Sequence, residues 1–179
     1  KQINRNPLIY VDPSVDGLKT GYTKEAGYGL TASAVRGGRR LLLVINGLMT
    51  KKSRRKEPQR LFDLGFREFD NYKLFNALDI VEHADVWLGT RNKVPLVIQN
   101  DLTLTLRKKS RPNMKVLIAY SNPIAAPIRK GDKLAVLKVL VSGKEVKKID
   151  LISGENIGRL GFLGRIGAAI TSVIWGHPG

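Results

Sequence analysis

The chain contains no cysteine, which excludes disulfides, thiolate metal sites and a cysteine nucleophile. Histidine is almost as scarce. His83 lies in the acidic stretch 81–85 and His177 close to the end, and both read as ordinary surface or boundary residues. A serine-histidine-acid triad is therefore poorly provided for, whereas chemistry that uses lysine as the proton carrier escapes the shortage. Aromatic residues make up only 7%, and the basic runs lack the interleaved aromatics that stack bases, so no nucleic acid partner is expected. No cofactor and no metal site is expected either. The N-terminus has no apolar signal-peptide core and no initiating methionine, from which these residues are expected to begin inside a longer parent.

Acidic residues are few, 15 against 31 basic ones, and the net charge of +16 draws the chain towards some polyanion or anionic surface. The excess is uneven. One basic stretch runs from Arg36 to Arg60 with Glu57 as its acid, and another comprises Arg107, Lys108, Lys109, Arg111 and Lys115. Each run reads equally as a solvated face or as a binding surface.

Of what is present, 42% hydrophobic residues suffice for a packed core in one domain or two small ones. Residues 26–35 alternate as a strand, Gly37-Gly38 supplies turn chemistry, and residues 41–45 form a continuous apolar strand, which together predict a hairpin. After a basic loop over 50–56, Leu61, Phe62, Leu64 and Phe66 recur near helical spacing over 58–66, with Gly65 near the stop. From about Lys73 the pattern changes to short strands at 84–88, 94–97, 102–106, 114–120, 133–141 and 145–151. Within 157–175, apolar residues recur at threes and fours, which predicts an amphipathic helix; four glycines and two arginines argue against a membrane-spanning one. Such a helix would either lie in a membrane interface or pack back on the β-rich region.

Lys19-Thr20-Gly21 places an ammonium, a hydroxyl and a residue without a side chain just before the hairpin, where they could line a sheet edge and leave room for a substrate backbone. The run Val15-Asp16-Gly17-Leu18-Lys19-Thr20-Gly21-Tyr22-Thr23 continues through Ala26-Gly27-Tyr28-Gly29-Leu30 and Ala32-Ser33-Ala34. It resembles the third active-site motif of the serine D-alanyl-D-alanine carboxypeptidases, the low-molecular-mass penicillin-binding proteins of peptidase family S11. The resemblance extends through Arg54, Glu57, Leu61 and Gly65-Phe66, then through Leu102-Thr103-Leu104-Thr105 and 126–132, to the terminal segment, and so covers nearly the whole chain.

The resemblance implies an α+β fold: the C-terminal part of a β-lactamase/transpeptidase-like domain over 1–70, with its hairpin and helix, then an all-β domain over 73–155 and a membrane-surface helix over 157–176. It implies that a serine in an S-x-x-K motif attacks the bond between two D-alanines of a peptidoglycan stem peptide, forming an acyl-enzyme, and that β-lactams acylate the same serine. Lys19, Thr20 and Gly21 would be catalytic-site residues. Thr20 would also bind the substrate carboxylate, the backbone N–H of Tyr22 would form half of an oxyanion hole, and Arg54 would hold the free carboxylate, a role that Arg55 or Lys56 could also fill.

In the terminal segment, Arg159, Leu160, Leu163, Arg165, Ile166, Ile170 and Trp175 would meet an anionic membrane surface, with the protein peripheral on the periplasmic or extracytoplasmic face. The S-x-x-K and S-x-N motifs of this family precede its K-T-G, and only eighteen residues precede Lys19. Ser53-Arg54-Arg55-Lys56 matches S-x-x-K only as a decoy, so the chain alone is expected to be inactive and to need a missing N-terminal catalytic segment as partner. Two competing readings are a non-catalytic basic module that binds a polyanion or membrane surface, and a β-lactamase; the roughly 110 residues after Phe66 argue against the latter.

Overall fold

The computed structural model describes residues 3–161, which divide between two compact units, Lys1–Asp70 and Asn71–Gly179. The described residues are mostly β-sheet with a single α-helix.

The first unit is a three-stranded antiparallel sheet of β1 (Val15–Thr23), β2 (Gly27–Arg36) and β3 (Arg39–Leu48) in that order, followed by α1 (Ser53–Glu68). The β2–β3 hairpin forms where Gly37-Gly38 predicts it, because both glycines take positive φ, +56° and +75°, as a tight two-residue turn demands. Alternation then places Leu30, Ala32 and Ala34 of β2, paired with Ile45, Leu43 and Leu41 of β3, on the face that packs around Phe62 and Phe66 of α1. Phe62 is 2% exposed, and its burial contributes roughly 2–3 kcal/mol. The opposite face leaves Leu42 and Val44 exposed.

Sequence pattern alone does not mark β1 as a strand. Val15–Thr23 holds two glycines and no alternation; pairing with β2 at Lys19↔Thr31, Thr20↔Leu30 and Gly21↔Gly29 makes it one. The helix also begins earlier than its apolar spacing indicates, at Ser53 instead of Pro58. The cause is a reciprocal cap: Ser53 N–H donates to Thr50 Oγ1 at 3.0 Å, and Thr50 N–H donates to Ser53 Oγ at 3.1 Å. Pro58 is accommodated inside the helix.

The strand β4 (Phe69–Phe75) begins at the end of the first unit and runs into the second, which contains β5 (Ile80–Trp87), β6 (Lys93–Ile98), β7 (Leu102–Arg107), a 3-10 turn (Lys108–Asn113), β8 (Met114–Ala119), β9 (Ile124–Ala125), β10 (Lys133–Val141) and β11 (Lys144–Ser153). β4 pairs with β7, and the rest form a six-stranded sheet in the order β8-β10-β11-β6-β5-β9. Inward-facing Ala135, Leu137 and Val139 join Ala84, Val94, Leu96, Ile98, Leu102, Ile128 and Leu151 in one buried cluster. The β-rich texture read from the sequence is present; β4, β9 and the 3-10 turn are additional elements without a clear periodic signal.

One correction concerns the start of the terminal helix. Ile157 is 1% exposed in the β-rich core and forms a bridge with Ile128, each N–H donating to the other's carbonyl at 2.8 and 2.9 Å. Arg159 bridges Gly89, and Leu160 N–H donates to Leu88 C=O at 2.9 Å. Residues 157–160 are therefore extended, because their backbone groups pair with the loop after β5 and with Ile128. Leu163, Arg165, Ile166, Ile170 and Trp175 lie outside the described residues. Among the described residues no helix is long and apolar enough to cross a membrane.

Candidate functional site

β1 is an outer strand of its sheet, so the edge carrying Lys19, Thr20 and Gly21 has no strand neighbour on one side among the described residues. Two devices hold it in register. Asn6 is fully buried; its Nδ2 donates to Gly17 C=O at 2.8 Å while its Oδ1 accepts from Leu8 N–H at 3.0 Å, which ties the segment before the sheet to the strand two residues ahead of Lys19. On the opposite side, Arg40 of β3 donates to both carboxylate oxygens of Asp16 on β1, at 3.0 and 2.7 Å, and to Ser33 Oγ on β2. The hydrogen bond from Arg40, then that from Ser33, holds the Asp16 carboxyl below the usual carboxylate range.

Lys19 is exposed, and its ammonium donates to Thr20 C=O at 2.9 Å without a carboxylate partner among the described residues. Gly21 faces open space: a Cβ placed there would meet nothing within 4 Å. The rings of Tyr22 and Tyr28, cross-strand partners, stand 4.4 Å apart and tilted by 34°. Arg54 comes from the first turns of α1 and stands 5.2 Å over the Tyr28 ring, with one guanidinium nitrogen 3.5 Å from Gly21 C=O. Its Nε is shielded from water and has no hydrogen-bond partner. Arg55 and Lys56, its neighbours in sequence, are exposed and do not line this region.

Together these residues form one wall of an open groove of about 1090 Å³, lined by Lys19, Thr20, Gly21, Tyr22, Tyr28 and Arg54 and completed by Arg5, Tyr10 and Lys51. Among the described residues no acidic side chain lines it. Four cations beside a hydroxyl and an open strand edge can bind an anionic, extended ligand. Arg5, Tyr10 and Lys51 come from irregular segments without a periodic signal. Tyr28 is set opposite Tyr22 by the β1–β2 pairing, which the sequence pattern does not mark.

The S-x-x-K look-alike is fully employed elsewhere. Ser53 Oγ donates to Thr50 C=O at 2.8 Å besides accepting from Thr50 N–H, so it is a helix cap and not a free nucleophile. His83 sits exposed on β5.

Comparison with known proteins agrees with this layout. Residues 69–159 match the family model of the penicillin-binding protein 5 C-terminal domain, and residues 1–50 match that of D-alanyl-D-alanine carboxypeptidase. The D-alanyl-D-alanine carboxypeptidase DacC of Escherichia coli (strain K12) is 33% identical over 93% of this chain and 42% of its own length. DacF of Bacillus subtilis (strain 168) is 32% identical over 90% of this chain and 42% of its own. The crystal structure of penicillin-binding protein 5 from Haemophilus influenzae superposes with a TM-score of 0.77 at 31% identity, covering 88% of this chain and 47% of that one. The chain thus spans less than half the length of the curated relatives it matches. With the K-T-G edge in the first unit and the matching β-rich second unit, the chain belongs to the D-alanyl-D-alanine carboxypeptidases that carry the penicillin-binding protein 5 C-terminal domain.

Proposed function

We propose that these residues form the carboxylate-binding wall of a serine D-alanyl-D-alanine carboxypeptidase, which removes the terminal D-alanine from peptidoglycan stem peptides through an acyl-enzyme and is acylated by β-lactams. The observation that carries this reading is the convergence of Lys19, Thr20 and Arg54 beside Gly21 on an open strand edge. Gly21 is not demanded by packing, since a side chain would meet nothing there, so its emptiness serves a ligand whose backbone lies along β1.

In this reading Lys19 supplies positive potential beside the serine, and the Thr20 hydroxyl and Arg54 guanidinium hold the substrate's free carboxylate. The Tyr22 N–H contributes one oxyanion donor. The serine and its lysine come from a segment carrying S-x-x-K and S-x-N, since within these 179 residues the one S-x-x-K look-alike is a helix cap. The protein acts on the extracytoplasmic side of the membrane, held peripherally by the segment that follows Gly161, where Leu163, Arg165, Ile166, Ile170 and Trp175 pair an apolar stripe with positive charge. Arg159 and Leu160 precede this segment, with their backbones paired to Gly89 and Leu88.

D-alanine release from a peptide ending in D-Ala-D-Ala, together with labelling by fluorescent penicillin, tests the catalytic part. The 179-residue chain alone should show neither activity; the same chain joined to the S-x-x-K-bearing remainder of DacC should show both. In that fusion Arg54→Ala should lower kcat/KM by about 10- to 100-fold, the loss of a charge-assisted contact to carboxylate. Turnover by the chain alone, or an unchanged kcat/KM in Arg54→Ala, would refute the assignment. For the membrane part, liposome flotation should compare the full chain with one ending at Gly161, because a cut at Ile157 would remove a core residue. Equal flotation of both refutes the anchor.

A further inference from the structure

β8 is an outer strand of the six-stranded sheet, and among the described residues β10 is its one strand neighbour. Its sequence, Met-Lys-Val-Leu-Ile-Ala, carries one charge and no proline or glycine, few of the devices that protect a sheet edge. Val116 and Leu117 point to opposite faces, and both are exposed, at 36% and 50%. An edge open on both faces can accept another strand.

The chemistry around it is one-sided. On the outward face Leu117 lies opposite Lys138 of β10, which lies opposite Lys148 of β11, so two ammonium groups are cross-strand neighbours. Lys138 has Glu145 at 3.8 Å and Lys148 acts on the Asp150 carboxylate, whereas Lys115 has no ion-pair partner among the described residues. On the inward face Ile118 packs against the apolar core beside Val116.

We infer that β8 is a docking edge for an extended segment of a partner protein whose residues alternate acidic and apolar. Added beside β8, such a segment pairs its backbone with the free edge. Its acidic side chains, all on one face, meet Lys115, with Lys138 one strand further in behind Leu117. Its apolar side chains, on the other face, extend the surface of Val116 and Ile118. A second copy of this chain fits less well, because β8 pairing with itself brings together two molecules that each carry +16 and offers Lys115 no acid. Residues 162–179 contain no acidic side chain and fail the same requirement.

The test uses the 179-residue chain, a short capped peptide of alternating Glu and Val, and a peptide of the same composition with its Glu and Val in two blocks. Amide hydrogen exchange read by NMR should slow about tenfold or more at residues within Lys115–Ala119 on saturation with the alternating peptide. The block peptide and the Lys115→Glu variant should each bind at least about fivefold more weakly. Four results would overturn the inference: no saturable binding up to about 1 mM; binding without protection of β8; equal binding of the two peptides, which marks plain polyanion attraction; and concentration-dependent protection of β8 in the chain alone, which marks self-association.

Discussion

Replacing Arg36 by alanine should destabilise the first unit by about 2–3 kcal/mol. Arg36 closes the far end of β2 onto the turn that leads into β1: it donates to Asp12 at 2.6 Å, to Asp63 on α1 at 2.7 Å and to Ser14 Oγ at 3.0 Å, and stands 4.9 Å over the Phe66 ring. The contacts are unequal. The Asp12 side chain is 9% exposed, so removing its guanidinium leaves a nearly buried charge with only Ser14 as donor. Losing a hydrogen bond to a charged group costs about 1.5–3 kcal/mol, and stranding a fully buried charge costs about 3–5 kcal/mol. The Arg36 side chain is one-third exposed, so water can refill part of the gap and the lower figures apply. The Asp63 contact, half exposed on its acidic side, adds about 0.5 kcal/mol or less.

A urea titration at neutral pH, read from the amides of Ala32 and Ala34, measures this. With a slope of about 1 kcal/mol/M for so small a unit, the midpoint should fall by about 2 M. The pH dependence gives a second readout. Burial pushes the Asp12 carboxyl up, but the hydrogen bonds from Ser14 and Arg36 outweigh it and leave the folded-state pKa below the unfolded one. A depressed carboxylate contributes stability that is complete above the unfolded value of about 4 and is lost as pH falls through the folded one. Wild type should therefore lose stability on acidification below about pH 4, and Arg36→Ala should show a shallower loss. A midpoint shift under about 0.5 M, or an unchanged acid limb, would refute the account.

Two further substitutions separate local from tertiary causes. Thr50→Ala removes one half of the reciprocal cap before α1 and should cost about 1 kcal/mol, with faster amide exchange confined to the first turn, around Ser53 and Arg54. Ile157→Ala should cost about 2–4 kcal/mol in the second unit, seen as faster exchange at Leu137 and Val139. Had Ile157 opened an interfacial helix instead, that change would leave those amides untouched.

How far each element could be read follows from where its signal resides. The β2–β3 hairpin was legible because alternation and Gly37-Gly38 agree, and the core strands of the second unit because their apolar runs are bounded by turns. The strand β1 was not, since what defines it is pairing with β2, the Asn6 bonds to its backbone and the Asp16–Ser33–Arg40 ladder, all contacts between residues distant in sequence. The start of α1 failed for a different reason: Thr50 and Ser53 are a usable capping signal, but the basic residues around them resembled a loop and Pro58 suggested a boundary. Ile157 was misread because aliphatic residues at threes and fours across glycines fit a helix, while its bridge to Ile128 leaves no periodic trace. Within the groove, motif context named Lys19, Thr20, Gly21, Tyr22 and Arg54, whereas Arg5, Tyr10 and Lys51 became visible only when the chain brought them together.

The β1 edge also shows why folding alone does not account for its composition. Among the described residues Lys19 has no acidic partner, the Arg54 Nε is withdrawn from water without a hydrogen bond, and Gly21 adds backbone freedom to a strand although a side chain there would clash with nothing. Each feature is neutral or unfavourable for the unit's stability: unpaired cations near one another repel, a buried donor without an acceptor costs about 1–3 kcal/mol, and glycine in a strand costs about 0.5–1 kcal/mol relative to alanine. All three converge on one groove. On the proposed reading, a ligand that presents a carboxylate and an extended backbone would relieve each of them, its anion pairing with Lys19 and Arg54 and its backbone occupying the space above Gly21. An enzyme gains by this arrangement, because donors fixed before the ligand arrives do not have to be reorganised when it binds.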